Sequence, residues 1–302
     1  MLSQLPGAVK GVLAIILLII NLIFWFILLL PFALFKIAFP IIFIRKPMDY
    51  LLNFICTMWA SCNKLFLNLL NKIEWDINGD EGLNMNEWYL VLANHQSWAD
   101  IVVLQYVLNN RIPYFRFFLK KELVWMPIFN IVWYALDYPY MKRYSKEFLE
   151  KNPHLKGKDI ETTKKSCEKF RHVPVSVMNF VEGTRFTLRK HAKQESPFKY
   201  LLKPKAGGIA FVLAAMGDQL TSILDVTISY APKAMGLWDF LCGHVKKVSV
   251  KVEKIPITED VTGDYFEDSY FRDQFQGWIN AIWAKKDSVI DGLRQQEPSF
   301  KN

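Results

Sequence analysis

The 302-residue sequence has no Cys-x-x-Cys pair, no Gly-x-Ser-x-Gly elbow, no internal repeat and no low-complexity tract. Its four cysteines, Cys56, Cys62, Cys167 and Cys242, are few and scattered. A chain of this length needs no disulfide framework, so a reducing compartment is expected. Cys242 and His244 are spaced like a ligand pair, but no neighbours complete a set, and no metal is expected. Zinc-finger spacing and RNA-binding aromatic signatures are also missing, which argues against a nucleic-acid partner. The missing serine elbow argues against an esterase. Ser97 lies beside His95, but a serine two residues from its base on one loop is awkwardly placed as a nucleophile.

Charge is missing from Gly11 to Phe35, and the apolar run resumes from Ile37 to Ile44 before Arg45-Lys46 ends it. A membrane-spanning helix needs about 20 apolar residues. The apolar region of a cleaved signal peptide has only about 7–15. A membrane anchor is therefore expected over residues 1–46, with the main domain over 47–302. As one straight helix, residues 11–44 would reach about 51 Å, against an apolar bilayer core of about 30 Å. Pro31 and Pro40 permit a break, giving either one span followed by an interfacial segment or a helical hairpin. Lys36, Arg45 and Lys46 outnumber Lys10 and the amino terminus, which predicts a downstream domain on the cytoplasmic side. From 50 to 75, Leu51, Leu52, Ile55, Met58, Trp59, Leu65 and Leu69 recur at helical spacing. They predict an amphipathic helix that packs on the domain or lies along the membrane.

What the chain has in excess is positive charge: 37 lysines and arginines against 29 acids, for a net charge of +8. An anionic partner follows, and the apolar N-terminus favours anionic lipid or a phosphorylated substrate. Short apolar runs at Trp88–Ala93, Pro174–Val181, Ser222–Tyr230 and Val245–Ile255 predict strands. Helical patterns lie between and after them, at Asp100–Leu108, Ile160–Phe170, Gly207–Met216 and Tyr265–Arg294. Strands separated by helices predict an α/β domain, a mixed sheet flanked by helices. The charged stretch Lys142–Arg171 predicts an exposed loop and helix.

Two motifs follow predicted strands. In Asn94-His95-Gln96-Ser97-Trp98-Ala99-Asp100, a turn can bring the Asp100 carboxylate to the His95 imidazole. The carboxylate would fix the tautomer and stabilise the imidazolium, leaving the other nitrogen to take a proton from an alcohol. The bland alternative is a polar strand end with Asp100 capping the next helix. In Glu182-Gly183-Thr184-Arg185, glycine permits a tight turn near substrate and arginine offers a planar fork for phosphate. Its alternative is a simple turn with a surface arginine. Open α/β sheets place ligands at the carboxyl ends of strands, so both motifs can face one cleft.

In these motifs the chain resembles the glycerophospholipid acyltransferases, the PlsC-type lysophosphatidic acid acyltransferase family. That family is marked by four blocks, and this sequence carries them in order. The first is Asn94–Asp100. The second is Lys120-Lys121-Glu122-Leu123, then Pro127-Ile128-Phe129-Asn130, ending at Tyr140-Met141-Lys142-Arg143. The third is Phe180–Arg185, and the fourth is Ile223-Leu224-Asp225-Val226-Thr227-Ile228. The resemblance covers about residues 88–232. The chain departs from the family pattern with Val181 in place of proline, Asn130 in place of glycine, and Leu224-Asp225-Val226 in place of Val-Pro-Val. The Asp-Val-Thr-Ile block is similar to the lysocardiolipin and lysophosphatidylinositol acyltransferase branch and its bacterial relatives.

The resemblance implies a glycerol-3-phosphate acyltransferase-like fold and the esterification of a lysophospholipid such as lysophosphatidic acid. It implies His95 as general base and Asp100 as its orienting partner. Arg143, Glu182, Gly183, Thr184 and Arg185 would form the acceptor subsite, with backbone N–H groups near Gly183 as a possible oxyanion site. The implied co-substrate is an acyl thioester of coenzyme A or acyl carrier protein, with no further cofactor. The implied location is a membrane, a bacterial inner membrane with the catalytic domain facing the cytoplasm. The rival readings are a serine-dependent lipid hydrolase and a non-enzymatic membrane scaffold or lipid carrier.

Overall fold

The computed structural model describes residues 2–120, 127–138, 140–141, 158–232 and 236–295. Two long helices open the fold, α1 (Gly7–Ala38) and α2 (Ile42–Leu70), and they fold back on each other. The break falls at residues 39–41, around Pro40. Pro31 removes one i→i−4 bond but lies inside α1 without ending it. α2 starts earlier than the helix predicted from residue 50. It absorbs Arg45, Lys46 and Pro47, so a boundary at residue 46 falls inside a helix. It also ends earlier, because Glu74–Asn78 form strand β1 rather than a last helical turn. The cause is tertiary: β1 gains a full parallel ladder with a later strand, from Glu74 opposite Lys247 to Asn78 opposite Lys251.

α1 is long and apolar enough to cross a membrane. Ile20, Phe24 and Ile27 on its outer face are exposed, whereas Asn21 and Lys36 are buried. Asn21 Nδ2 donates to Asn63 Oδ1 (2.7 Å) and to the Trp59 carbonyl (3.0 Å) on α2. Lys36 pairs with Asp49 and with Asp137 (2.6 Å), and Asp137 also accepts from Arg45. Asn21 and Lys36 are thus paired inside, and the outer face of α1 is left apolar.

The remaining strands are β2 (Tyr89–Ala93), β3 (Phe115–Phe117), β4 (Leu119–Lys120), β5 (Tyr140–Met141), β6 (Ser176–Phe180), β7 (Ser222–Ala231) and β8 (Lys247–Pro256). Five of them join β1 in one six-stranded sheet in the order β1-β8-β7-β2-β6-β3, while β4 and β5 pair separately. Only the β7–β8 pairing in the large sheet is antiparallel, which makes it a mixed sheet. Every residue of β2 and β7 is buried, as expected of central strands covered on both faces.

Alternation along these strands divides the core. Tyr89, Val91, Leu224, Val226 and Ile228 pack toward α3 (Ala99–Leu108) and the ends of α1 and α2. Leu90, Leu92, Val177 and Ile223 pack toward the helix Ala206–Met216 and the C-terminal helix Ser269–Gln295. The helix predicted over 265–294 begins at Ser269, after a turn in which Asp268 accepts from Tyr270 and Phe271 N–H.

Candidate active site

The site is built where β2 and β6 end side by side, with Ala93 opposite Phe180. β7 runs on past them, and Asn94 uses that overhang. Its side-chain Nδ2 donates to the Ile228 carbonyl (2.9 Å), and its Oδ1 accepts from Ile228 N–H (2.8 Å). The amide continues the ladder by one step after the β2 backbone has turned away. It thereby fixes where the next residue, His95, begins.

His95 Nδ1 lies 2.8 Å from Asp100 Oδ2. The same carboxylate oxygen accepts from the N–H groups of Gln96 (2.7 Å) and Ser97 (2.9 Å). The other oxygen accepts from the buried Tyr230 hydroxyl on β7. An ionised carboxylate only accepts, so the His95 proton resides on Nδ1 and Nε2 is the basic nitrogen. Asp100 has no exposure, and all its partners are donors. Asp100 does not cap α3, whose N-cap Trp98 makes no side-chain cap bond; its carboxylate closes the turn before the helix and orients the imidazole. Phe180 stacks on the His95 ring at 4.0 Å and 15°, which fixes its plane.

Glu182 has a different place from the one expected. It is fully buried, and it accepts from His95 N–H through Oε1 (2.9 Å) and from Leu202 N–H through Oε2 (3.0 Å). It clamps the first motif to the third from behind and does not line the substrate cleft. Burial, opposed by those two donors, pushes its carboxyl up to about 7. Phe186 N–H donates to the His95 carbonyl (2.7 Å) and adds a second tie between the motifs.

A cleft of about 500 Å³ opens in front of His95. Phe117, Phe118, Met178, Phe180 and Val212 give it apolar walls, and Thr184, Arg185 and Trp98 stand on its polar side. Gly183 adopts φ +67°, the left-handed region that the tight turn demands. Its N–H donates to the Phe180 carbonyl (2.8 Å), so that group closes the turn and is not available to an oxyanion. Thr184 Oγ1 and the Arg185 carbonyl both accept from Lys190 Nζ, at 2.7 and 3.0 Å. The Arg185 guanidinium lies 4.5 Å over the exposed Trp98 ring. The structure thus brings His95, Gly183, Thr184 and Arg185 to one cleft, with Asp100 buried behind the imidazole. Arg143, with Lys121, Glu122, Leu123 and Lys142 of the second block, lies outside the described residues.

Two side chains at this site, Tyr230 and Lys190, carry no motif that singles them out, and Asn94, inside the first motif, acts as a backbone mimic. The aspartate that departs from Val-Pro-Val has a structural partner. Asp225 is buried and pairs with Lys286 of the C-terminal helix at 2.8 Å, and Lys286 also donates to the Val226 carbonyl (2.7 Å).

Comparison with known proteins agrees with this architecture. An acyltransferase of Saccharomyces cerevisiae named as uncharacterized is 23% identical over 240 residues, 67% of this chain and 58% of that protein. One of Schizosaccharomyces pombe, similarly named, is 26% identical over 249 residues, 74% of this chain and 65% of its own. The 1-acyl-sn-glycerol-3-phosphate acyltransferase delta of Mus musculus is 26% identical over 183 residues, 56% of this chain and 43% of that protein. The matched region therefore spans less than two thirds of each of these relatives. The crystal structure of PlsC, the 1-acyl-sn-glycerophosphate (LPA) acyltransferase of Thermotoga maritima, superposes with a TM-score of 0.54 at 16% identity. The superposition covers 97% of this chain and all of that one, and it shows a shared fold. The family model described as Acyltransferase matches residues 74–231, which include all of β1, β2, β6 and β7 and both motifs. The chain belongs to the Acyltransferase family.

Proposed function

We propose that the protein esterifies a lysophospholipid, of the 1-acyl-glycerol-3-phosphate type, with a fatty acyl group from an acyl thioester of coenzyme A or acyl carrier protein. The observation that carries this reading is the His95–Asp100 pair at the mouth of an apolar cleft that also holds Arg185. The activities for which the mouse relative and the Thermotoga maritima enzyme are named support the same acceptor class.

In this reading, His95 Nε2 takes the proton of the acceptor hydroxyl as its oxygen attacks the thioester carbonyl. The new C–O bond forms, the C–S bond breaks, and the departing thiolate recovers the proton from the imidazolium. Asp100 stabilises that imidazolium and keeps the ring oriented. The thioester is already activated, so no covalent acyl-enzyme is required. Arg185 and Thr184 face the acceptor headgroup. Arg143 keeps its proposed role in phosphate binding, and Glu182 serves by holding the His95 loop.

The outer face of the α1–α2 hairpin attaches the enzyme to the membrane, where both lipid chains already reside. Extracting them into water would cost about 0.8 kcal/mol per CH₂. The excess of Lys36, Arg45 and Lys46 over Lys10 supports a catalytic domain on the cytoplasmic side, and a bacterial inner membrane is the membrane we propose. The test is a panel of lysolipids and acyl thioesters given to the purified protein, with products read by mass spectrometry and free thiol measured in parallel. Diacylated phospholipid formed in step with thiol is expected. Free fatty acid as the product would instead mark a hydrolase.

A further inference from the structure

We propose that Lys205 is a phosphate-binding residue of this cleft, closing with Arg185 and Lys190 a cationic rim over the Gly183 turn. The inference rests on the acyltransferase reading above and adds a residue to it.

Lys205 lies twenty residues beyond the Glu-Gly-Thr-Arg motif and is brought back to it by the fold. Its N–H donates to the Val181 carbonyl (2.9 Å), which fixes its backbone beside the end of β6. Its side chain then runs across Gly183. A β-carbon built on Gly183 would stand 3.2 Å from both Cδ and Nζ of Lys205. Glycine at 183 therefore serves two needs, the left-handed turn and clearance for the lysine above it. Gly183 lines the cleft next to His95, Thr184 and Arg185, and the Lys205 ammonium lies over this glycine.

The charge around this lysine is left unbalanced. Residues 182–205 contain seven lysines and arginines against two glutamates. Glu182, the nearer in sequence to the turn, faces inward, with both oxygens accepting from backbone N–H groups. Lys199 is drawn away to Asp291 at 2.7 Å. Among the described residues, Lys205 Nζ has no carboxylate within ion-pair distance. A cation held at a cleft mouth, over a turn that leaves room for a ligand, suits a phosphate, whose oxygens accept several charge-assisted bonds at once. Two phosphates can come there: the headgroup of the acceptor lysolipid and the diphosphate of a coenzyme A donor.

Steady-state kinetics of Lys205→Ala and Lys205→Arg in the full-length protein distinguish these sources. Lysophosphatidate is varied at saturating palmitoyl-CoA, then palmitoyl-CoA at saturating lysophosphatidate. The proposal expects Lys205→Ala to raise one KM by about tenfold or more, with kcat within about twofold and the melting temperature unchanged. Arginine should recover most of the loss. A rise on the lysophosphatidate arm assigns the acceptor phosphate, and a rise on the palmitoyl-CoA arm assigns the donor. Lys203→Ala, an exposed neighbour outside the rim, should change either KM by less than about twofold and so separates a specific contact from general surface charge. Unchanged KM values on both arms overturn the inference while the wild type remains an active transferase. So does a fall in kcat alone, or a loss that arginine does not relieve. A wild type that transfers no acyl group to any acceptor overturns the transferase reading itself.

Discussion

The Tyr230 hydroxyl donates to the Asp100 oxygen that His95 does not use, from a strand 130 residues further along the chain. With the Gln96 and Ser97 N–H groups, it surrounds the carboxylate with donors, so the anion is held where the imidazole needs it. Tyr230→Phe keeps the ring in the core and removes only this bond. Hydrogen bonds to charged groups contribute about 1.5–3 kcal/mol, so kcat should fall about tenfold or more while KM for both substrates stays within about twofold. Steady-state kinetics at fixed pH check this, and an unchanged kcat would show the bond to be dispensable.

Glu182 predicts a pH signature in stability. Its carboxyl is ordinary, near 4.5, in the unfolded chain, and burial raises it to about 7 in the folded one. Between those values the native state binds more protons than the unfolded state. The group's contribution therefore favours folding most below pH 4.5 and declines as pH rises to about 7. Glu182→Gln removes this dependence. Melting temperatures of wild type and variant across pH 5–8 are the measurement. The wild type should lose stability relative to the variant as pH rises through that window, and a constant difference would contradict the assignment.

Lys286 and Asp225 form a buried pair between the C-terminal helix and β7. Removing one partner of such a pair leaves an uncompensated buried charge, at a cost of about 3–5 kcal/mol. Lys286→Met should be destabilised by that order in urea unfolding. Lys286→Met combined with Asp225→Leu should recover most of the loss. Additive losses in the double variant would show that the two residues act separately.

The apolar outer face of α1 carries the membrane proposal. Ile20→Lys and Ile27→Lys put a charge on that face, each opposed by about 2.5–3.5 kcal/mol if the position sits at the bilayer centre. Flotation with phospholipid vesicles should show both variants partly released. Lys165→Ala, on the exposed helix Lys158–Cys167, should float like wild type.

The parts of this fold that were legible in the sequence share one property: their residues announce their environment locally. β2, β6, β7 and β8 are apolar or alternating runs, and each was expected within about two residues of where it lies. β1 was not, because Glu74, Asp76 and Asn78 give it a polar face suited to a sheet edge, and its neighbour β8 lies 173 residues away. The Phe115–Phe117 strand is too short to show a period. At the site, the spacing of His95 and Asp100 pointed to their contact, but Tyr230 reaches Asp100 and Lys205 reaches the Gly183 turn through sheet register and chain return, which no local pattern encodes. Glu182 was assigned to the right motif and the wrong surface, since a strand-end carboxylate can turn either toward substrate or toward backbone donors.

Removing the imidazole tests the central claim most directly. His95→Ala, purified with its melting temperature and vesicle flotation unchanged, is assayed for thiol release and diacylated product with lysophosphatidate and palmitoyl-CoA. The account predicts that acyl transfer falls by at least about a hundredfold, the scale of a lost general base. Retention of most of the wild-type rate would contradict it.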